Sequence, residues 1–307
     1  MGFTRVYNGV LRRFLKNTFH IWEKFGFHII PVHFYEPTPD LKNLDNKLWE
    51  KPSDLIGINM NEDAQLSLLD TFNNKYSEEY ETFPRFKTKV SYQYYTRNTS
   101  FSTINGEILY SMVRHFKPKK VLEIGSGNST FVTAQALLKN KQENYVGELV
   151  AIEPYPKQIL KNGFPGLTRL IQKNLQDVPL SEFESLKEND ILFIDSSHML
   201  KLGSDVQYEY LEILPRLNKG VIVHIHDIFL PAEYPKDWIM NQHYFWNEQY
   251  LLQSFMTFNT SFEVLWASNY MHLKYPRKLA AASSSYAEYE KNKNWTGPSS
   301  FWIRRIN

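Results

Sequence analysis

The stretch Val121-Leu-Glu-Ile-Gly-Ser-Gly-Asn-Ser-Thr130 reads as a buried strand that enters a glycine-rich turn and leaves it as a helix. Val121, Leu122 and Ile124 supply the apolar run of a parallel strand. Gly125 and Gly127 let the backbone turn tightly and come close to a ligand. Ser129 or Thr130 is placed to cap a helix continuing through Phe131 to Leu138. The turn is E-x-G-x-G. Thr130 stands where the dinucleotide pattern G-x-G-x-x-G would carry its third glycine, and no Gly-Lys-Ser/Thr follows to cradle phosphate. Such a turn suits a ligand that has no pyrophosphate.

Outward from this turn, the chain alternates strand and helix. Strands are expected at 120–125, 148–153, 167–172, 190–195 and 220–226, with helices at about 129–140, 156–162, 179–187 and 203–214. That order predicts parallel strands joined by right-handed crossovers. A helix at about 246–258 precedes the strand Phe262-Glu-Val-Leu-Trp-Ala-Ser268, and the last strand is Ser300-Phe-Trp-Ile-Arg-Arg-Ile306. With no evident crossover helix between them, these two form an antiparallel pair at a sheet edge. Ala280 to Ser285 is small and polar and is expected to be a loop. Upstream, residues 3–27 form an amphipathic helix with a basic face opposite Phe3, Val6, Val10, Phe14 and Ile21. It could touch a membrane surface, but docking on the protein's own core is the stronger expectation. Prolines then punctuate residues 31–52, and helices follow at about 62–76 and 103–116. The division expected is an extension, 1–117, and a sheet domain, 118–307.

Composition narrows the classes. A chain of 307 residues with 42% apolar content can bury a full core. A formal net charge of +2 gives no broad basic surface, so no nucleic-acid partner is expected. The chain has no cysteine, which excludes disulfides, thiolate-ligated zinc and thiol nucleophiles. The N-terminus is too charged for a signal peptide or a membrane span, which fits a cytoplasmic protein without a transmembrane segment.

In an open α/β sheet the ligand lies at the carboxyl ends of the strands. The first strand ends in Glu123, Gly125, Ser126 and Gly127, and the second in Glu153, about 30 residues after the glycine turn. An acid there can accept hydrogen bonds from both ribose hydroxyls. Asp177 follows the third strand and is placed to receive the exocyclic amine of an adenine. The fourth strand ends Ile191-Leu-Phe-Ile-Asp195-Ser-Ser-His198, where an acid after four apolar residues is costly unless paired or used. The fifth ends Val221-Ile-Val-His224-Ile-His226-Asp227. His224 reads as a core histidine. S-adenosylmethionine, which contains an adenosine but no pyrophosphate, fits this set.

Taken together, the run 121–127, Glu153, Asp177 and Phe193-Ile-Asp-Ser-Ser-His198 resemble a class I S-adenosylmethionine-dependent methyltransferase. Within that class the likeness is to the bacterial small-molecule O-methyltransferases of sugar and polysaccharide gene clusters, and it covers about 118–307. The resemblance implies a Rossmann-like, seven-stranded, mostly parallel α/β sheet with an antiparallel C-terminal hairpin, preceded by a mainly helical extension that serves as a substrate cover. It also implies that Glu123 and the backbone from Gly125 through Ser126 to Gly127 hold the methionine part, Glu153 the ribose and Asp177 the adenine, with Asp195 beside the cofactor. Asp195, His198 and His226 are the catalytic candidates, and the acceptor is a small molecule or saccharide. The metal-dependent catechol-type members suggest Asp195, His226 and Asp227 as ligands of a divalent metal ion. The alternative is a histidine base, His226 or His198. Two other functions compete: a non-catalytic adenosyl-methionine-binding protein and, more weakly, a nicotinamide-dependent oxidoreductase.

Overall fold

The computed structural model describes residues 2–293 and 297–307. It comprises two compact units, Met1–Lys51 with Pro235–Phe245, and Pro52–Tyr234 with Trp246–Asn307. The smaller unit holds α1 (Gly2–Lys24), two short 3-10 turns and α8 (Lys236–Met240). Asp40 and Asp45 cap the two turns by accepting from the backbone N–H of Lys42 and Lys47. Lys236 ties the second turn to α8 through Asn46 Oδ1 at 2.7 Å. None of residues 9–51 is buried.

The larger unit is built on seven strands: β1 (Lys120–Ile124), β2 (Glu148–Ile152), β3 (Arg169–Ile171), β4 (Ile191–Ile194), β5 (Ile222–Ile225), β6 (Phe262–Ala267) and β7 (Phe301–Arg305). Their order is β3-β2-β1-β4-β5-β7-β6, parallel except where β7 pairs antiparallel with both β5 and β6. Strand order reverses between β1 and β4, so a crevice opens at their carboxyl ends. The helices are α2 (Glu62–Tyr80), α3 (Asn105–Phe116), α4 (Asn128–Gln142), α5 (Gln158–Asn162), α6 (Leu180–Glu184), α7 (Asp205–Tyr208), α9 (Glu248–Met256), α10 (Ser268–Lys274), α11 (Pro276–Ala282) and α12 (Ser284–Asn292).

Alternation along the strands divides the core. Val121, Leu149, Ile191 and Phe193 pack with Leu69, Phe72, Leu109 and Val113, so α2 and α3 cover one face of the sheet. Leu122, Ile124, Leu192 and Ile194 pack on the other face with Phe183, Val206 and Leu252. Leu69, Phe72, Tyr76, Phe101, Leu109 and Val113, counted with the extension in the sequence reading, thus belong to the sheet's own core.

Two expectations change. Ala280 to Ser285 is not a loop: α11 runs through Ala282, Ser283 breaks it, and α12 begins at Ser284. Alanine favours helix, and the Ser283 side chain caps α12 by accepting from Tyr286 N. Three helices therefore join the antiparallel pair β6 and β7. The helix expected at 203–214 is α7 followed by a π turn at Glu209–Ile213 and a 3-10 turn at Leu214–Arg216. Pro215 there has no N–H to continue an α-helical ladder.

Candidate active site

Three strand ends meet at one cavity. Gly125 N donates to Ile152 O at 2.9 Å and Asp195 N to Ile124 O at 3.0 Å, which aligns the ends of β2, β1 and β4. The open cavity beside them measures about 390 Å³ and is walled by Gly125, Glu153, Tyr155, Gln176, Asp195 and Ser197, among others. That volume is at the lower end of small-molecule sites. Gly125 has φ +86°, and a Cβ there would lie 2.1 Å from the Asp195 carbonyl oxygen, so only glycine lets β1 turn away beneath β4. At Gly127 a Cβ would meet nothing within 4 Å, so the second glycine faces open space. Gly127 N donates to Thr130 Oγ1 at 2.9 Å, which closes the turn onto α4.

Glu123 lies buried behind the turn. Its Oε1 accepts from Ser129 Oγ at 2.5 Å, whereas Oε2 has no partner. Burial pushes the carboxyl up to about 8; bonds from Ser129 and Thr130 oppose this, and the nearby Asp195 and Glu153 add to it. An unpartnered buried oxygen of this kind fits a cationic ligand group. Glu153 lines the cavity with Oε2 accepting from Ser126 Oγ at 3.0 Å and Oε1 from Tyr155 N at 2.9 Å. Asp177 is exposed and bonded to Asn174 at 3.4 Å; the segment after β3 presents Asn174, Leu175 and Gln176 to the cavity instead. The 3-10 turn at Leu175–Asp177 sets this, and periodicity gave no sign of it.

Asp195 belongs both to the cavity and to a histidine–carboxylate cluster. Its side chain keeps nearly a third of its surface exposed, with Oδ1 3.4 Å from His198 Nε2. That same nitrogen is 3.9 Å from Asp227 Oδ2, and His198 Nδ1 is 2.8 Å from Glu248 Oε2. Both ring nitrogens of His198 therefore face carboxylates. Burial alone would push the imidazole down, but bonds to Asp195 and Glu248 and the charge of Asp227 hold it well above the usual histidine range. Burial raises the Asp195 carboxyl, yet nearby His226 and the bond to His198 bring it below its ordinary value. His198 and Asp227 both have left-handed backbones, with φ of 58° and 52°. Such strain in non-glycine residues concentrates at functional sites.

His226 Nε2 lies 3.1 Å from the Ser100 carbonyl oxygen and 3.4 Å from Asp227 Oδ1, and its Nδ1 is buried without a partner. A carbonyl only accepts, so Nε2 carries the proton in that contact. Among the described residues no group of three or more His, Asp or Glu is arranged to hold a metal ion. Asp195, His226 and Asp227 do not fit a metal as they stand, because His198 occupies the space beside both carboxylates and His226 Nε2 is engaged with Ser100. His224 is a core residue, stacked on Phe193 at 3.9 Å and edge-on to Trp302 at 4.7 Å.

Sequence reasoning missed Glu248, Ser299 and Asn105. Ser299 Oγ donates to Asp227 Oδ1 at 3.0 Å, and Asn105 Oδ1 accepts from Ser299 N at 3.0 Å. No motif marks these residues; Glu248 in the first turn of α9 reads as an ordinary helix-start acid. The segment before α3 also reaches the site. Asn128 Nδ2 donates to Asn98 Oδ1 at 3.1 Å and Ser100 Oγ at 2.9 Å, and the Phe101 ring lies 4.9 Å from that of His226.

Residues 122–228 match the family model of a methyltransferase domain. An uncharacterized protein of Archaeoglobus fulgidus is 32% identical over 169 residues, which is 52% of this chain and 75% of that protein. Two solved structures are more distant. An O-methyltransferase from Bacillus cereus in complex with SAH is 13% identical, with a TM-score of 0.36 over 78% of this chain and 91% of its own. The apo structure of CmcI is 14% identical, with a TM-score of 0.38 over 67% and 72%. Neither of these two likenesses carries weight for the site.

Proposed function

Because residues 122–228 match the model of a methyltransferase domain, we propose that the chain is a class I S-adenosylmethionine-dependent methyltransferase that transfers a methyl group to a hydroxyl of a small molecule or saccharide. One observation carries the reading: Asp195 lines the cavity beside Gly125 and Glu153 and at the same time joins the cluster of His198, His226 and Asp227. Ligand-holding and proton-handling groups thus share one wall.

When bound, S-adenosylmethionine supplies an electrophilic methyl group on its sulfonium. Glu123 Oε2 is the oxygen left to receive the ligand's ammonium group, with the backbone of Gly125 to Gly127 closing around the methionine part. Glu153 takes the ribose hydroxyls, and Asn174 to Gln176, with Asp177 next to them, take the adenine side. Asp195 would accept a hydrogen bond from the acceptor hydroxyl and take its proton as the methyl passes to the acceptor oxygen, the S–C bond breaking as the O–C bond forms and S-adenosylhomocysteine leaving as the neutral thioether. His198, held as a cation by Glu248, keeps Asp195 ionised and in place. The larger contribution is alignment, because a held acceptor meets its partner at high effective concentration. Asn98, Ser100 and Phe101 cover the acceptor side.

Calorimetric titration of the purified chain with S-adenosylmethionine and, separately, with NAD tests the ligand. A labelled-methyl screen over sugars and phenols then tests transfer. Binding of NAD in place of S-adenosylmethionine would overturn the reading. Tight S-adenosylmethionine binding with no acceptor methylated would favour the binding-protein alternative. Exhaustive chelation should leave transfer intact; loss of activity restored by added magnesium or manganese would instead point to a metal held by Asp195, His226 and Asp227.

A further inference from the structure

The helix α1 carries a feature that methyl transfer does not use. Val10, Phe14 and Ile21 recur at helical spacing, and with Leu11 and Phe25, just past the helix end, they form one apolar stripe. All five are exposed, Phe14 to 55% and Phe25 to 70%. The stripe does not end with the helix, since Val32, Phe34 and Tyr35 just beyond it are exposed to 73%, 81% and 76%. A contiguous apolar surface of this kind marks an interaction site. Leu15, Phe19 and Trp22, on the adjacent side of the helix, are partly covered.

The charge around the stripe selects the partner. Arg13, Lys16 and Lys24 lie on the rest of the helix circumference, Arg12 beside them pairs with Glu36 at 3.9 Å, and residues 1–36 carry five Lys and Arg against two Glu. Residues 1–36 thus carry a net charge of +3 against +2 for the whole chain, so the excess of positive charge lies in this segment. No helix among the described residues is long and apolar enough to cross a membrane. A basic face opposite an exposed aromatic and aliphatic face is the pattern of a helix lying in the interface of an anionic bilayer, with lysine and arginine stems reaching to the head groups.

We propose that α1 and the segment following it dock this protein on the surface of a membrane carrying anionic lipid. The contact is peripheral: the apolar stripe enters the head-group boundary, and the basic side chains meet lipid phosphates. This inference is independent of the methyl-transfer reading.

The test is co-sedimentation of the full chain with vesicles of phosphatidylcholine alone and of phosphatidylcholine mixed with phosphatidylglycerol. Binding is expected to the mixed vesicles, to weaken in high salt, and to be slight on phosphatidylcholine. Arg13→Glu with Lys16→Glu should weaken it by well over tenfold, since each basic residue near such a surface contributes about fivefold. Phe14→Asp should weaken it at least as much while leaving the thermal transition in place, because Phe14 is already in water. If Phe14→Asp lowers the transition, the Arg13 and Lys16 pair decides alone. Equal failure to bind either vesicle overturns the proposal. So does a concentration-dependent dimer, seen by light scattering and abolished by Phe14→Asp, without vesicle binding; the stripe would then be a contact between copies of this chain.

Discussion

Glu123 shows how one residue can link fold, ligand and pH. Its buried carboxyl titrates near 8 instead of 4.5. Between those values the folded protein keeps a proton that the unfolded chain has lost. Stability should therefore fall as pH rises through this window, by about 1.4 kcal/mol per pH unit from this group, and level off above it. Glu123→Gln should flatten that slope in urea melts run from pH 5 to 8; an unchanged slope would show that the group titrates normally. His198 acts in the same sense for a different reason: its cation is stabilised by carboxylates, whereas the Glu123 anion is penalised by burial. The raised His198 value contributes stability fully below the unfolded histidine range, and that stability is lost as pH rises through the folded value. Glu248→Gln should bring the His198 titration down, as followed by NMR of its ring, and should lower turnover more than cofactor affinity. The two glycines also separate. Gly125→Ala meets the Asp195 carbonyl in a left-handed backbone and should cost on the order of 1–3 kcal/mol of stability. Gly127→Ala has space and should leave the melting temperature unchanged while testing how closely the ligand approaches. Glu153→Ala should weaken S-adenosylmethionine binding by up to about 1.5–3 kcal/mol for each hydrogen bond lost, and unchanged affinity would reject the ribose assignment.

At the scale of elements, β4 links fold and site. It lies between β1 and β5, buries all four residues and delivers Asp195 at its end. Leu192→Ala should cost about 2–5 kcal/mol, because it empties a fully buried site in the core on one face of the sheet, and chemical denaturation would measure this directly. The positions of β1, β2, β4 and β5 were legible because each is a short apolar run ending in a polar or glycine residue, the mark of a strand buried on both faces. The helical link between β6 and β7 was not. Alanine and serine together read as either helix or turn, and only packing of Leu279, Ala282 and Tyr286 into the core settles it. Asp177 shows a related limit: it lies in a three-residue 3-10 turn, exposed and outside the residues that line the cavity, and no periodicity shows in so short an element.

At the scale of the whole molecule, the larger unit includes residues 52–116 as part of its core. A chain beginning at Pro52 should keep the cooperative transition of that unit, whereas one beginning at Thr103 lacks α2 and should melt at markedly lower temperature or not fold. A shared transition in both truncations would mean that Leu69 and Phe72 contribute little. The sequence by itself determined the alternating strands, the glycine turn, the parallel sheet and the acids at the strand ends, because these depend on local spacing: two residues per strand repeat, and a few residues from strand to turn. Only the tertiary structure decided who partners His198. Glu248 lies 50 residues away on α9, and Ser100, opposite His226, lies 126 residues away on a segment before the sheet. Contacts of that range depend on how α9 and the residues before α3 pack across the end of the sheet. Packing is a property of the folded volume, and no local pattern in the chain encodes it.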